Sequence, residues 1–181
     1  MQLDNDAELM QRVAEGDKSH FKDLFDRHYD RAVAIAYRSL GDLDLAEDVA
    51  MEGFAQIYRS RESYTPKAKF TTFLYRVIVN LCLNKAKRKS VVTFETLDER
   101  HCDTPDSDPA VIAQRKQSSE QVRRAVLSLP ANQRVALVLT RYEGLSYASA
   151  AEVMNISVKA LEALLHRAKE NLRKKLRHII E

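Results

Sequence analysis

Chain breakers are scarce in this sequence, and that scarcity restricts the fold more than any other feature. Its 181 residues hold only four glycines and four prolines. Gly16, Gly41 and Gly144 each follow a stretch whose apolar residues recur every three or four positions. Such spacing describes one buried face of an α-helix, and a glycine after it is a common stop signal. Long helices are the consequence. No stretch shows convincing strand alternation, and the run Val91–Phe94 is too short and isolated to count. The expected fold class is all-α: two small helical domains joined by an acidic flexible linker.

Helices are predicted from about Asp6 to Glu15 and from Ser19 to Leu40, with a third starting near Asp42. In the third, Leu45, Ala46, Val49, Ala50, Gly53, Phe54, Ile57 and Tyr58 form a buried stripe. A polar loop, Arg61–Lys69, precedes a fourth helix that Thr71 or Thr72 can cap and that reaches Lys89. Its apolar face is Phe70, Phe73, Leu74, Val77, Ile78, Leu81 and Cys82. Residues 91–108 read as the linker between a domain at 1–90 and a domain at 109–181, since they lack helical period and contain Thr104-Pro105. Asp108-Pro109 then suits a helix start, and that helix runs to about Ser128. Another runs from Asn132 to Glu143.

Residues 146–167, SYASAAEVMNISVKALEALLHR, have the pattern of a helix-turn-helix. Ser146 and Ser157 can each cap a helix, and Asn155 tolerates the left-handed turn between them. Ala151 is small where the helices cross; Val158, Leu161 and Leu165 should face inward. The second helix of such a unit is the kind that enters a DNA major groove. An ordinary helical hairpin has similar spacing, so charge must decide. From Lys159 to Arg177 seven basic residues stand against two acidic ones, the surplus that phosphate binding needs.

Charge is blocked elsewhere too. Residues 42–52 carry five acids and no base, residues 59–90 nine bases and one acid, and residues 95–108 six acids and one base. On the fourth helix Arg76, Asn80, Asn84 and Lys87 follow at spacings of four, four and three, so one stripe can meet phosphates and base edges. A solvated helix face would show the same pattern. Cys82 and Cys102 lack zinc-ligand spacing, and no metal or cofactor is expected. With no signal peptide or apolar span of about 20 residues, a reduced, cytoplasmic chain without membrane insertion is expected.

Three segments carry a family likeness. FKDLFDRHYDRAVAIAYRSLGDLDLAEDVAMEGF (Phe21–Phe54) resembles the first half of region 2 of bacterial sigma-70 family factors. KFTTFLYRVIVNLCLNKAKRK (Lys69–Lys89) resembles its promoter-element segment, and LSLPANQRVALVLTRYEGLSYASAAEVMNISVKALEALLHRAKENL (Leu127–Leu172) resembles region 4. Because only these two regions are present, the resemblance is to the extracytoplasmic-function (ECF) group. Met51 stands where the family usually has Gln, Phe73 where Trp is common, and Val79 where Arg often precedes the matching Asn80. Asn84 replaces the usual Asp, and Asn155 the usual turn Gly.

The resemblance implies a non-catalytic specificity subunit that directs core RNA polymerase to promoters. Asp42, Glu47, Asp48, Met51 and Glu52 would bind the polymerase, at its β′ clamp helices; the β flap is a second contact. Tyr64, Lys67, Lys69, Phe73, Tyr75, Arg76, Asn80, Asn84, Lys87 and Arg88 would recognise and melt the −10 element. Ser157, Lys159, Ala160, Ala163, Leu164 and Arg167 would read the −35 element. Partners would be double-stranded and melted promoter DNA and an anti-sigma factor, with no small-molecule substrate. A sigma-like decoy for an anti-sigma factor is an alternative, but a mimic would be expected to lose its basic faces. A stand-alone helix-turn-helix regulator leaves the Asp42–Lys89 match without purpose. No catalytic spacing is recognisable among the five histidines and 26 carboxylates.

Overall fold

The computed structural model describes residues 5–66, 68–89 and 119–177, and these residues form helices and turns with no strand among them. The linker at 91–108, the Asp108-Pro109 helix start and Lys67 lie outside the described residues. The N-terminal module is α1 (Asn5–Ala14), α2 (Ser19–Leu40), α3 (Leu43–Arg59), a single 3₁₀ turn (Arg61–Ser63) and α4 (Phe70–Lys89). The C-terminal module is α5 (119–127), α6 (Ala131–Leu137), a π-helical turn (Val138–Tyr142), α7 (Tyr147–Met154) and α8 (Val158–Lys175).

The breakers act where the sequence places them. Gly41 ends α2 in the left-handed conformation (φ 79°), its N–H donating to the Tyr37 carbonyl. Asp42 then caps α3, its carboxylate accepting from the Leu45 N–H at 3.0 Å. Two starts differ from expectation. Helix α4 begins at Phe70, with the Lys69 carbonyl accepting from the Thr72 and Phe73 N–H groups, so a backbone acceptor does the work expected of a threonine side chain. Helix α6 begins at Ala131 rather than Asn132, directly after Pro130, whose fixed φ suits a helix entry.

In the N-terminal module α2, α3 and α4 pack around Leu24, Ile35, Val49, Phe54, Ile57, Phe70, Leu74 and Ile78, all buried. Phe54 gathers Phe21, Phe25 and Tyr29 around it, ring centroids 4.9–6.4 Å away. Helix α1 is tied down by Asp6, which accepts from Arg27 at 2.9 Å and pairs with His28 at 2.8 Å.

Helix α4 is buried on two faces, not one. Phe73 and Val77 are only half-buried, while Tyr75 and Val79 are covered. Positions 75, 79 and 82 make a second apolar line at helical spacing. The C-terminal module covers it: α6 and α7 pack against α4, and the buried apolar residues of both modules merge into one continuous core. Burial pushes the Tyr75 hydroxyl up to about 12 and the Cys82 thiol up to about 12; Arg134 of α6 opposes the second shift.

Candidate polymerase and nucleic-acid interfaces

Helix α3 turns one face to the core and the other to solvent. Ala46, Val49, Ala50, Gly53, Phe54 and Ile57 are buried. Asp44, Glu47 and Asp48 are exposed, and Met51 beside them is 53% exposed. Glu52 is half-buried, accepting from the Gln56 amide at 3.4 Å and lying 3.9 Å from the Lys85 ammonium. The outer face is thus an acidic rim around one soft apolar side chain. Asp42 belongs to it only in part, because its carboxylate serves as the helix cap.

Along α4 the residues proposed for the −10 element divide. Asn80, Asn84, Lys87 and Arg88 are exposed, and Lys69 is exposed just before the helix. Tyr64 and Phe73 are half-buried and pack together with centroids 5.5 Å apart. Tyr75 is only 2% exposed and lies under the Arg31 guanidinium, 5.6 Å from its centre, so in this arrangement its ring meets protein. Arg76 is also engaged within the chain: its Nη2 donates to the Glu152 carbonyl at 3.1 Å and lies 3.6 Å from the Glu152 carboxylate. The stripe is therefore open toward its C-terminal end and tied to α7 at Arg76, whose side chain remains 40% exposed.

The helix-turn-helix is built as its residues require. Ser146 Oγ accepts from the Ser149 N–H at 3.1 Å, and Ser157 Oγ accepts from the Ala160 N–H at 3.2 Å. Asn155 has φ 52°, the left-handed turn that Asn accepts more readily than most residues. Ala151, Leu161 and Ala168 are buried where α8 meets its neighbours. Asn171 fixes the far end of α8 by donating to Gln133 of α6 at 2.9 Å. Ser157, Lys159, Ala160, Ala163 and Arg167 are all exposed. Leu164 is half-buried against the core. Val158, expected to face inward, is 41% exposed: it is the first residue of α8, and the packed stripe starts one turn later at Leu161.

One cluster escapes any reading by motif. Glu143 is buried between the modules and holds two arginines of α2, Arg31 and Arg38. No motif contains these three residues, since Glu143 lies more than 100 positions from either arginine; only three-dimensional placement brings them together. No three metal-binding side chains meet among the described residues, and no described helix is long and apolar enough to cross a membrane.

Known proteins share this arrangement. Family models for sigma-70 region 2 and sigma-70 region 4 match residues 24–91 and 119–172. The chain is 30% identical to the ECF RNA polymerase sigma factor SigW of Bacillus subtilis, with 94% of this chain and 96% of that protein covered. It is also 30% identical to the RNA polymerase sigma-H factor of Pseudomonas aeruginosa, over 98% of this chain and 96% of that one. Among solved structures, CnrH in complex with the cytosolic domain of CnrY matches 97% of this chain and 99% of its own, with TM-score 0.71 and 26% identity. The acidic α3 face, the polar α4 stripe and the capped α8 thus lie on a region 2 and a region 4 in the family's order, and the chain belongs to the ECF group of sigma-70 family RNA polymerase sigma factors.

Proposed function

We propose that this protein is a promoter-specificity subunit of bacterial RNA polymerase, acting in the cytoplasm without cofactor and without catalysis of its own. One observation carries the reading. A single chain presents an acidic face with an exposed methionine on α3 and an exposed, capped, basic recognition helix in α8.

The α3 face suits a basic partner. Glu47 and Asp48 can pair with arginines and lysines of the polymerase β′ clamp helices, and Met51 can bury its thioether among them. Asn80 and Asn84 can donate to and accept from base edges, while Lys69, Lys87 and Arg88 hold phosphates of the −10 element. Bases released by melting would be captured by aromatic faces at the Tyr64–Phe73 pair. Helix α8 would enter the −35 major groove from its N-terminus, with Lys159 and Arg167 reaching toward the DNA. The β flap is the second polymerase contact. An anti-sigma factor is the expected regulator; the solved relative CnrH is itself seen in complex with another protein, the cytosolic domain of CnrY.

Reversing charge at Asp48 and Glu52 to lysine tests the polymerase face. Association of the full chain with core enzyme should weaken at least about tenfold, equivalent to about 1.4 kcal/mol. Affinity for random-sequence duplex DNA should not fall. Unchanged affinity for core polymerase would remove α3 from the interface.

A further inference from the structure

Side-chain hydrogen bonds and ion pairs tie the two modules together. Glu143 is their centre, with a side chain only 4% exposed. Arg31 Nε donates to its Oε2 at 2.7 Å, and Arg31 Nη2 donates to its backbone carbonyl at 3.3 Å. Arg38 Nη1 donates to Oε1 at 3.3 Å. Arg31 and Arg38 lie two turns apart on α2, so one helix face presents both guanidinium groups. Each also lies over a ring, Arg31 over Tyr75 at 5.6 Å and Arg38 over Tyr142 at 5.2 Å.

The backbone places Glu143 there. The Glu143 N–H donates to the Val138 carbonyl at 3.1 Å, closing a π-helical turn with one residue more than an α turn. An extra residue rotates the succeeding positions by roughly 100° around the helix axis. A second attachment lies at Arg76, which donates to the carbonyl of Glu152 near the end of α7. That carbonyl belongs to the partly negative end of a helix, a favourable place for a guanidinium. On the apolar side, Leu127 of α5 packs so closely on Gly41 that a Cβ there would lie 2.8 Å from its Cδ1.

These contacts have a consequence for DNA. Helix α7 of the helix-turn-helix sits on α4 and takes up Arg76, the first member of the polar stripe. Tyr75 is covered in the same place. The C-terminal module therefore engages one end of the −10 face of its own chain: the Arg76 guanidinium is held by Glu152 while its side chain stays 40% exposed, and the Tyr75 ring is buried.

We propose that Glu143 is the latch of a closed state, and that Arg31 and Arg38 must release it before the −10 element can be read from Arg76 onward. The latch presupposes the promoter-specificity function. It is built to be reversible. Its carboxylate is buried, but the Arg31 and Arg38 side chains are 52% and 39% exposed, so water takes over the guanidinium groups readily when the modules part. Opening is then a rigid-body change about an interface, biased by whatever binds the separated modules better.

The test uses the full chain and two independent variants, Glu143→Gln in the C-terminal module and Arg31→Gln with Arg38→Gln in the N-terminal one. Small-angle scattering reports the radius of gyration, circular dichroism the helix content. Fluorescence anisotropy reports affinity for a labelled random-sequence single-stranded DNA. The parent should scatter as the closed arrangement. Both variants should keep their helices, expand, and bind the single strand about tenfold more tightly, the gain expected when a competent fraction of about a tenth becomes nearly complete. Adding Arg76→Ala to either variant should cancel the gain. A parent that already scatters as two separated modules overturns the latch without any variant. So do folded variants on both sides with unchanged dimensions, or expansion without tighter binding. If one variant loses helix, the variant in the other module decides. Transcription by the parent with core polymerase separates the two claims: its absence refutes the promoter-specificity reading, whereas its presence beside unexpanded variants refutes only the latch.

Discussion

Replacing Gly53 by alanine places a methyl group in the crossing of α3 and α4. Its Cβ would lie 2.5 Å from Ile78 Cδ1, with the next neighbours at 3.6 Å (Val77 Cγ1) and 3.7 Å (Ile78 Cγ1). Two effects oppose each other. Alanine in a helix interior is favoured over glycine by about 0.8–1.0 kcal/mol. Ile78 is fully buried, so its terminal methyl can move only by disturbing packed neighbours, at a cost of about 1–3 kcal/mol. The net effect in the parent chain should be a loss of up to about 2 kcal/mol. Ile78→Val deletes the offending Cδ1 and costs about 0.5–1.5 kcal/mol by itself. In that background the remaining neighbours sit at ordinary contact distance, and Gly53→Ala should stabilise by about 1 kcal/mol. Urea unfolding of the four chains gives the coupling directly, and about 1–3 kcal/mol is expected. If Gly53→Ala has the same effect in both backgrounds within about 0.5 kcal/mol, the crossing is not limited by that one methyl.

Other consequences can be measured separately. Arg123 and Arg124 hold the Glu120 carboxyl at about 2, below its ordinary 4.5; its contribution is complete above about pH 4.5 and should be lost as pH falls toward 2, and Glu120→Gln should flatten that limb of an acid-unfolding curve. With its thiol raised to about 12, Cys82 in a Cys102→Ser chain should resist a thiol reagent at pH 8 until urea unfolds the protein; reaction at the rate of a free thiol would contradict its burial. Lys159 stands in the first turn of α8, and Arg173 and Lys174 about 21 Å further along its axis. Lys159→Ala should change which −35 bases are preferred, by roughly 1–3 kcal/mol at one position. Arg173→Ala with Lys174→Ala should weaken binding to all sequences and flatten its salt dependence; an unaltered preference profile for Lys159→Ala would reduce its role to holding phosphate.

Local signals were the legible ones. Gly41, Asp42, Ser146, Asn155 and Ser157 each set a helix end through one hydrogen bond or one backbone dihedral, information contained within a few residues of sequence. The α3 stripe was equally readable because that helix buries a single face. Helix α4 was not, because its burial is decided by two neighbours. Tyr75 and Val79 look like part of an exposed aromatic and apolar mixture until α6 and α7 are placed over them. The same holds for Arg76, whose four-residue spacing to Asn80 suggests a DNA contact while its guanidinium is engaged by Glu152. Glu143 was invisible for a further reason: a π-helical turn changes the phase of the helix just before it, so counting by 3.6 residues points its side chain the wrong way. Val158 shows the limit at a helix end, where a position in register with the buried stripe extends past the surface that would cover it.

Transcription in vitro tests the central claim most directly. Core RNA polymerase, a library of templates with randomised sequence upstream of the start site, and the purified chain are combined, and the templates that yield RNA are sequenced. Transcripts should depend on the added chain and arise from templates sharing two short motifs, near −35 and −10, at one fixed separation. Lys159→Ala should shift the first motif, and Asn80→Ala with Asn84→Ala the second. RNA no more abundant than with core enzyme alone, or transcripts without a shared two-part motif, would contradict the account.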